Sequence, residues 1–332
     1  MARLQVPMKD NQRFNSTTPL HELGDFRTPP DKLFVVHHMG IPAMNAAPWR
    51  LVVDGLVNHS VEMNMAELAA LPQVEIAAFH ECAGSPLRPT VPVRRVGNVT
   101  WGGVRLKDVL QLAGIRDSAA FVWARGADGG IYPPTGQDSD SYLKDLPLAK
   151  ALGDEVLLAT TLNGAPLDEG HGAPVRLVVP GFYGTNSVKW LTELRLEASR
   201  ASGYFTTALY NDVVVEEGVE SRRPVWEVAP QSVIVAPAEG SRIAAGLCQI
   251  WGWAWSAAPV KAVQISLNGG LDWCDAALGG RTEFCWQRFT LDWAPAVSGR
   301  HQLACRAIDA NGNVQPDSGA RNQVLRFEVT VE

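Results

Sequence analysis

Large apolar residues alternate along the chain beyond Gln231, and this period of two restricts the C-terminal part to β-structure. The clearest series are Trp251, Trp253, Trp255 and Val263, Ile265, Leu267. Asn268-Gly269-Gly270 follows the second series, as expected of a tight turn between strands. Short strands at this spacing over about 100 residues predict an Ig-like β-sandwich over residues 231–332, with the tryptophans packed in its core.

Residues 34–200 combine predicted helices with predicted strands, so the predicted fold class is α+β. Asn64 and Glu67 have the spacing of a capping box ahead of a short helix that ends at Pro72. Asn163-Gly164 predicts a hairpin turn. The other predicted elements are the strands Leu33–Val36, Trp49–Gly55, Val156–Leu162 and Val175–Val179, and a helix over Leu106–Ala113.

The predicted domain organisation follows from these differences in predicted secondary structure along the chain. Residues 1–33 are polar and broken by prolines, so we predict an extended N-terminal arm. A mixed domain over 34–200 follows, then a connecting segment over 201–230, and then the sandwich over 231–332. At 332 residues the chain is long enough for two domains with separate cores.

Charge and hydropathy exclude several classes of partner. With 29 basic and 35 acidic residues the net charge is -6, so we expect no nucleic-acid partner. No apolar run is long enough to span a bilayer, and no signal peptide is apparent at the N-terminus. The chain as it stands is therefore expected to be cytoplasmic, or periplasmic if a leader has been removed.

The five cysteines are sparse, and none forms a Cys-x-x-Cys pair. They are Cys82, Cys248, Cys274, Cys285 and Cys305. This spacing predicts neither a local zinc site nor a c-type haem attachment site, and a framework of disulfides is not expected. Any metal must therefore be held without a cluster of thiolates, and we expect no haem.

Cys82 stands apart because it lies between a short apolar run and a turn-forming loop, in Phe79-His80-Glu81-Cys82-Ala83-Gly84. Guanidinium groups near a thiol lower its pKa, and they also suit a phosphate or an oxyanion. Four arginines follow closely: Arg88, Arg94, Arg95 and Arg105. The residues alone leave two interpretations open, a small buried apolar side chain with arginines in a solvated loop, or a thiolate that holds a metal.

Several short motifs follow one another in order along nearly the whole chain. They are Phe34-Val35-x-x-His38 with Ile41-Pro42, Glu81-Cys82-Ala83-Gly84, Gly97-Asn98-x-x-Trp101, Asn163-Gly164, His171-Gly172-x-Pro174-x-Arg176, Val179-Pro180-Gly181, Ser187-Val188-Lys189-Trp190-Leu191 and Asn313-Val314-Gln315-Pro316-Asp317. This ordered set resembles the sulfite oxidase family of molybdopterin-dependent oxidoreductases. The resemblance implies a molybdopterin-binding domain followed by an Ig-like dimerisation domain, and hence a homodimer.

The resemblance also implies a cofactor, molybdenum with one molybdopterin, and a role for each matching residue. Cys82 would be the protein ligand of the metal, and a soft thiolate suits a redox metal in sulfur coordination. The residues implied to bind the pterin and its phosphate are Phe34, His38, Asp128, His171, Arg176, Ser187, Val188 and Lys189. Without the resemblance, His38 and His171 are interpreted as hydrogen-bonded loop histidines.

The implied substrate pocket departs from the family pattern at two positions. Trp101, Tyr210 and Arg326 match its tryptophan, tyrosine and C-terminal arginine. The sulfite-oxidising members carry arginines where this chain has Val36 and Leu87. Losing charge-assisted contacts to a dianion costs about 1.5 to 3 kcal/mol each, so we expect sulfite to bind weakly. The adjacent residues His37 and Arg88 are the candidates for replacing those charges.

The implied function is a molybdenum-dependent oxidoreductase that transfers an oxygen atom to sulfite or a related small sulfur compound. Its electrons would pass to a separate one-electron acceptor such as a c-type cytochrome. An alternative is a reductase of a sulfoxide or another oxo-compound. A non-catalytic pterin-binding scaffold is a third possibility, which Cys82 and Tyr210 disfavour because a scaffold needs neither a thiolate nor a phenol at those positions.

Overall fold

The computed structural model describes residues 7–10, 16–46, 48–85 and 88–332, so Leu87 lies outside the described residues. The chain divides into two compact units, each assembled from separate segments. Unit 1 comprises residues 1–16, 35–76 and 100–226, and unit 2 comprises residues 17–34, 77–99 and 227–332. The predicted boundaries at 34, 200 and 230 divide the chain linearly, whereas the chain enters unit 2 three times.

Most of the regular structure is β-strand, and we number the strands in chain order. Up to residue 224 they are β1 (Met8–Asp10), β2 (Thr18–Pro19), β3 (Ile41–Pro42), β4 (Arg50–Gly55), β5 (Val61–Asn64), β6 (Gln73–Glu81), β7 (Val93–Arg94), β8 (Val96–Arg105), β9 (Phe121–Gly126), β10 (Gly130–Tyr132), β11 (Gln137–Ser139), β12 (Leu143–Pro147), β13 (Leu157–Leu162), β14 (Ala165–Pro166), β15 (Arg176–Val178), β16 (Leu191–Glu197), β17 (Asn211–Glu216) and β18 (Val219–Pro224). The remaining strands are β19 (Gln231–Ala236), β20 (Arg242–Ile243), β21 (Cys248–Trp255), β22 (Val260–Ser266), β23 (Cys274–Asp275), β24 (Ala277–Leu278), β25 (Gln287–Trp293), β26 (Gly299–Asp309) and β27 (Arg326–Val331).

The helices are few and short. The α-helices are α1 (Met65–Ala69), α2 (Leu106–Ala113) and α3 (Leu148–Ala151). Single 3₁₀ turns occur at Leu20–Glu22, Pro30–Lys32, Met44–Ala46 and Gly184–Asn186, and a π-helix occupies Phe205–Leu209. Across the described residues, no helix has the length and apolar character needed to cross a membrane.

Both predicted helices are confirmed, although α1 ends at Ala69, before the predicted stop at Pro72. The Asn64 side chain accepts hydrogen bonds from the backbone N–H groups of Ala66 and Glu67, and the Glu67 carboxylate accepts one from the N–H of Asn64, which completes the capping box of α1. Helix α2 ends at Gly114, whose φ of 70° is readily adopted by glycine. Local sequence signals therefore suffice to place both helices.

Unit 1 is built on two sheets with one continuous apolar core. The first sheet has the order β12-β9-β16-β4-β5, in which β16 and β4 run parallel. Leu194 in β16 lies opposite Ala124 and Val53, and all three side chains are buried. In the second sheet the order is β14-β13-β8-β6, with β15 also paired to β13. These sheets fix the loops that carry most of the predicted site residues.

Unit 2 contains two main sheets, with the orders β19-β21-β25-β24 and β20-β27-β26-β22-β23. Trp253 and Trp286 stack at 4.8 Å between ring centroids, and they are 3% and 1% exposed. Their Nε1–H groups donate to the carbonyls of Leu23 and Phe26, which holds residues 17–34 within this unit. Core packing is thereby confirmed for Trp253 and Trp286 and also for Trp255, which is 1% exposed, whereas Trp251 is half-buried.

One strand prediction is wrong. Leu33–Val36 forms no strand, and within it only Val36 takes part in an isolated bridge. Leu33 and Phe34 are instead buried in unit 2, where the Phe34 ring stacks on the His80 ring at 5.4 Å. An apolar run of this length satisfies a strand pattern and a buried loop equally, so periodicity alone does not separate them.

Candidate functional site

Cys82 lies directly after β6 in a short loop of unit 2. Its backbone N–H donates to the carbonyl of Arg95 at 2.9 Å, and its Sγ accepts from the N–H of Gly84 at 3.4 Å. Ser85 Oγ accepts from the N–H of Arg95 at 2.8 Å, so both ends of the loop are fixed to the same residue. The half-buried thiol is thereby held in a defined position without a protein disulfide.

The surroundings of the thiol are electrostatically mixed. Burial raises the pKa of Cys82, while the Gly84 N–H and the charge of Arg95 act in the opposite direction. Burial also raises the pKa of Glu81 to about 7, against a hydrogen bond from Trp255 Nε1 at 2.8 Å and the charge of Arg94. The thiol is therefore protonated at neutral pH in the absence of a metal, and a bound metal ion would displace that proton.

The four arginines after Cys82 differ, because Arg94 and Arg95 are buried whereas Arg88 is exposed, so a solvated loop describes only part of this set. Arg94 is fully buried and donates to the carbonyls of Val91 and Val93, and burial lowers its pKa to about 10. Arg95 is 8% exposed. Both guanidinium groups lie inside unit 2, so their charges act on the Cys82 loop without screening by bulk water.

A different C-terminal arginine from the predicted one contacts this loop. Arg321 Nη1 donates to the carbonyl of Ala83 at 3.1 Å. The predicted residue, Arg326, forms an ion pair with Asp317 and donates from Nε to the Gly269 carbonyl at 2.8 Å. These bonds engage the Arg326 guanidinium within unit 2, so Arg321 is the C-terminal arginine seen next to Cys82.

A second set of predicted residues converges in unit 1 around His171. The carboxylate of Asp168 lies 2.8 Å from His171 Nδ1 and also accepts from its backbone N–H at 2.7 Å. Because a carboxylate accepts only, Nδ1 carries the proton, and the Nε2 atom faces the other way. Nε2 is buried, and among the described residues it has no hydrogen-bond partner. A buried ring nitrogen without a partner marks a place for a ligand atom.

Two cations lie beside this imidazole. Arg176 donates to the carbonyls of His171 at 3.0 Å and Ser187 at 3.2 Å, and its Cζ lies 4.8 Å from the Trp101 ring centroid. Lys189 Nζ donates to the Gly170 carbonyl at 3.0 Å. The predicted phosphate-binding cations therefore also organise the loop around His171.

The cluster carries buried positive charge. Burial lowers the pKa of Arg176 to about 9 and that of Lys189 to about 7, the latter with a further contribution from Arg176. Burial raises the pKa of Asp128 to about 7, and the charge of Lys189 opposes this rise. Ionised Lys189 and Arg176 are thus costly to bury here, and an anionic group bound beside them would offset the cost.

Two further residues predicted to bind the cofactor, Ser187 and Val188, lie in the interior of unit 1. The predicted substrate contact Trp101 is also buried there. Ser187 Oγ accepts from the N–H of Val179 at 3.1 Å, and Val188 is fully buried with its carbonyl bonded to the N–H of Leu177. Trp101 is fully buried beneath Arg176. These residues shape and support the cluster rather than present free polar atoms to it.

His38 and Tyr210 form a separate pair in unit 1. His38 Nε2 lies 2.6 Å from the Tyr210 hydroxyl. Three other rings surround the imidazole at 5.2 to 5.4 Å between centroids: Tyr132, Tyr142 and Phe205. We predicted His38 as a pterin-binding residue and Tyr210 as a substrate contact, and the structure brings these two together.

Three residues that contact predicted site residues or their loops were not predicted from the sequence: Lys144 at Tyr210, Asp168 at His171 and Arg321 at the Cys82 loop. Asp168 lies three residues before His171, a spacing that could have signalled a loop carboxylate orienting the imidazole. Lys144 and Arg321 carry no local signal, because their contacts are with residues distant in sequence.

Each unit, taken by itself, carries groups that suit a molybdenum–molybdopterin cofactor. In unit 1, His171 Nε2 is open and the adjacent cations favour a phosphate. In unit 2, Cys82 is a soft ligand for a metal. Among the described residues, no group of three or more His, Cys, Asp or Glu side chains could hold a bare metal ion.

The family comparisons cover both parts of the chain. The oxidoreductase molybdopterin binding domain matches residues 38–205, and the Mo-co oxidoreductase dimerisation domain matches residues 222–328. The chain is similar to mitochondrial sulfite oxidase from Homo sapiens, with 33% identity over an alignment of 345 positions, gaps included. The alignment covers 95% of this chain and 62% of the human protein. It is 31% identical to sulfite oxidase from Gallus gallus over 92% of this chain and 72% of the chicken protein.

A solved structure agrees with these matches. The sulfane dehydrogenase SoxCD from Paracoccus pantotrophus superposes with a TM-score of 0.83 at 27% identity, over 98% of this chain and 87% of that chain. The mammalian relatives are longer, since this chain spans 60 to 62% of their length. Two family domains in the expected order, with relatives along nearly the whole chain, show that this chain belongs to the sulfite oxidase family.

Proposed function

We propose that this chain is a molybdenum-dependent oxidoreductase that moves an oxygen atom to or from a small sulfur compound. The observation that carries the proposal is the buried cluster of His171, Arg176 and Lys189, with an open imidazole nitrogen, inside the segment that matches a molybdopterin-binding domain. The names of the relatives, sulfite oxidases and a sulfane dehydrogenase, support a sulfur compound as the substrate.

Four residues would have the main roles in holding the cofactor. Cys82 would be the metal ligand, and the loop bonds to Arg95 and Gly84 would keep its sulfur in place. His171, Arg176 and Lys189 would bind the anionic end of the pterin. When bound, this group supplies two-electron oxygen-atom transfer. The remaining cofactor-binding predictions, Phe34, His38, Asp128, Ser187 and Val188, stay part of the proposal.

The protein's own part in the chemistry would be to orient the substrate. The Tyr210 hydroxyl would donate a hydrogen bond to a substrate oxygen, and His38 would fix the direction of that hydroxyl. Arg321, which contacts the Cys82 loop, is a better candidate than Arg326 for attracting an anion toward the metal. Trp101 would act indirectly, as the surface on which Arg176 lies.

Oxidation of a neutral or weakly charged sulfur compound is favoured over oxidation of sulfite by one observation. Val36 is half-buried where the resemblance implies an arginine, and aromatic rings surround the neighbouring His38. The same apolar surroundings suit the reverse reaction, reduction of a sulfoxide or another oxo-compound. Both directions use the same residues, so the substrate panel must include oxidised and reduced compounds.

The test combines metal content with turnover. Wild-type protein should hold about one molybdenum per chain and turn over a member of a panel of sulfite, thiosulfate-like compounds and sulfoxides with an artificial one-electron acceptor or donor. Cys82→Ser should lose turnover and show one sulfur ligand fewer per molybdenum by X-ray absorption. Cys248→Ser is the matched control, since Cys248 is also a free, half-buried cysteine of unit 2. Unchanged metal coordination in Cys82→Ser would refute the assignment.

We further propose that unit 2 mediates homodimerisation and that its two sheets form an Ig-like sandwich. The match of residues 222–328 to a dimerisation domain supports this. A separate one-electron carrier, such as a c-type cytochrome, would serve as the electron acceptor. Light scattering of the full chain should give twice the chain mass of 35.9 kDa, and a monomer would contradict the proposal.

A further inference from the structure

Lys144 is a buried cation that the proposed chemistry does not use. It lies in β12 and is 1% exposed. Its Nζ donates to the carbonyl of Phe205 at 3.1 Å and lies 5.2 Å from the centroid of the Tyr210 ring. A lysine is almost never fully buried unless its charge is compensated, so this placement calls for an explanation.

The nearest carboxylate does not neutralise Lys144. Asp145 accepts two hydrogen bonds from Arg200, at 3.0 and 3.1 Å, and a third from the N–H of Ala201. The group of Lys144, Asp145 and Arg200 thus carries one net positive charge. Burial lowers the pKa of Lys144 to about 8, with Asp145 acting to raise it, so the ammonium is the main form at neutral pH.

Tyr210 lies between this charge and His38. Among the contacts that the described residues make with Tyr210, Lys144 lies at its ring and His38 at its hydroxyl, and Asp145 and Arg200 pair beside Lys144. A cation at the face of an aromatic ring draws on the ring's electrons, and this makes a phenol a stronger hydrogen-bond donor. The bond to Phe205 also fixes the π-helix that leads into Tyr210.

We propose that Lys144 is a positioning residue whose positive charge strengthens Tyr210 as a hydrogen-bond donor toward the substrate oxygen. This inference rests on the proposed function of Tyr210. It adds a specificity within that function, because a stronger donor favours a compound whose oxygen develops negative charge as the reaction proceeds. The charge acts through the tyrosine, so it needs no contact with the substrate.

The experiment uses the full-length holoprotein and three lysine variants, each made in the wild-type and Tyr210→Phe backgrounds. Lys144→Met removes the charge and the hydrogen bond, whereas Lys144→Gln removes the charge and keeps a donor for the Phe205 carbonyl. Lys150→Met is the matched control, because Lys150 Nζ lies 5.1 Å from the ring of Phe182 and pairs with Glu155. Circular dichroism checks that each variant is folded.

Activity should follow the charge. Lys144→Met and Lys144→Gln should each lower kcat about 3- to 30-fold, with a smaller change in KM, and the Lys150→Met variant should match the wild type. In the Tyr210→Phe background the same lysine changes should alter kcat less than about twofold. In the pH profile of kcat, the wild type should lose activity as the pH rises past about 8. Both Lys144 variants should lack this decrease. Wild-type behaviour of Lys144→Gln, or an equal loss in the Tyr210→Phe background, would overturn the proposal.

A second readout is independent of turnover. In protein labelled with ¹³Cζ-tyrosine, the resonance missing from Tyr210→Phe belongs to Tyr210. In the wild type it should show a step near pH 8 that both Lys144 variants lack, while any step caused by His38 remains. The absence of that step in the wild type would overturn the proposal even if the variants fail to fold. If no sulfur compound is turned over, the proposed function fails, and this resonance still tests the role of Lys144.

Discussion

His38 Nε2 lies 2.6 Å from the hydroxyl of Tyr210, which joins a residue predicted to bind the pterin to one predicted to contact the substrate. A bond this short implies that one atom donates and the other accepts with good alignment. His38 therefore controls the orientation of the Tyr210 hydroxyl, whatever else it binds. The two predicted roles, cofactor binding and substrate contact, are linked through one hydrogen bond.

Replacing Tyr210 by Phe should leave molybdenum and pterin content unchanged and lower kcat/KM about 10- to 150-fold. The physical reason is the loss of a hydrogen bond to a charged or developing oxyanion, worth about 1.5 to 3 kcal/mol. Tyr204→Phe is the control, because the exposed Tyr204 hydroxyl bonds only to Thr135 Oγ1 among the hydrogen bonds of the described chain. Equal kcat/KM in Tyr210→Phe and wild type would remove Tyr210 from the site.

Replacing His171 by Asn should reduce the cofactor content of the purified protein several-fold. Asn retains a polar atom near the position of Nδ1 for the bond to Asp168, but it has nothing in place of Nε2. Elemental analysis and pterin fluorescence measure the loss, and His59→Asn, at an exposed loop position, provides the control. Full cofactor content in His171→Asn would show that Nε2 does not face the cofactor.

The stability of the cofactor-free protein should rise with pH between about 7 and 10 through Lys189. Burial lowers the folded-state pKa of this lysine to about 7. In that window the unfolded chain binds a proton that the folded chain does not, and stability rises with pH wherever this holds. Asp128, whose pKa is raised to about 7, acts in the opposite direction below neutral pH.

Chemical denaturation at several pH values measures this effect. Lys189→Met should flatten the pH dependence of the unfolding free energy above pH 7, whereas Lys261→Met, at an exposed position of β22, should leave it unchanged. If Lys189→Met keeps the wild-type slope, the lysine is not buried in its neutral form. Stability of the wild type that falls over this range would have the wrong sign for the argument.

Val36→Arg should raise kcat/KM for sulfite relative to a neutral sulfoxide or thioether by about tenfold or more. One charge-assisted hydrogen bond to an oxyanion is worth about 1.5 to 3 kcal/mol, while the same guanidinium is left unpaired with a neutral ligand. Val213→Arg adds the same charge at a valine that is 57% exposed, as a control for net charge. A wild-type enzyme that saturates at micromolar sulfite would contradict this prediction.

Asn64→Ala should destabilise the protein by about 1 kcal/mol without changing cofactor content. The Asn64 side chain caps α1 through hydrogen bonds of 2.8 and 3.1 Å to two backbone N–H groups. Asn64→Asp keeps an equivalent cap and should retain wild-type stability. Urea denaturation compares the three proteins, and equal midpoints for Ala and Asp would show that the cap contributes nothing.

Elements with a local signal were predictable from the sequence. The capping box at Asn64, the stop at Gly114 and the Asn163-Gly164 turn each depend on a few adjacent residues, and all three are found where expected. Asn163 and Gly164 both adopt positive φ, of 50° and 80°, which a tight hairpin turn between β13 and β14 requires. In such cases short-range physics determines the outcome.

Features that depend on distant segments were not predictable. Leu33–Val36 has the composition of a strand, yet Leu33 and Phe34 are buried side chains in unit 2. Arg326 matched a family position, but its partner Asp317 is set by the path of the C-terminal loop, and Arg321 contacts Ala83 instead. The contact of Lys144 with the Tyr210 ring joins residues that are far apart in the sequence. Pairings across long sequence separations carry no signature in one sequence.

The interleaved composition of unit 2 has a consequence for biosynthesis. Residues 77–99, with Cys82, pack in one compact unit with residues 227–332. Folding of that unit requires long-range closure, which is slow compared with local structure formation. On the ribosome, the Cys82 loop therefore has to wait for more than a hundred further residues to emerge before its surroundings exist. The proposed metal site at Cys82 would then mature only after residues 227–332 have emerged, and agents that insert the cofactor would act after that point.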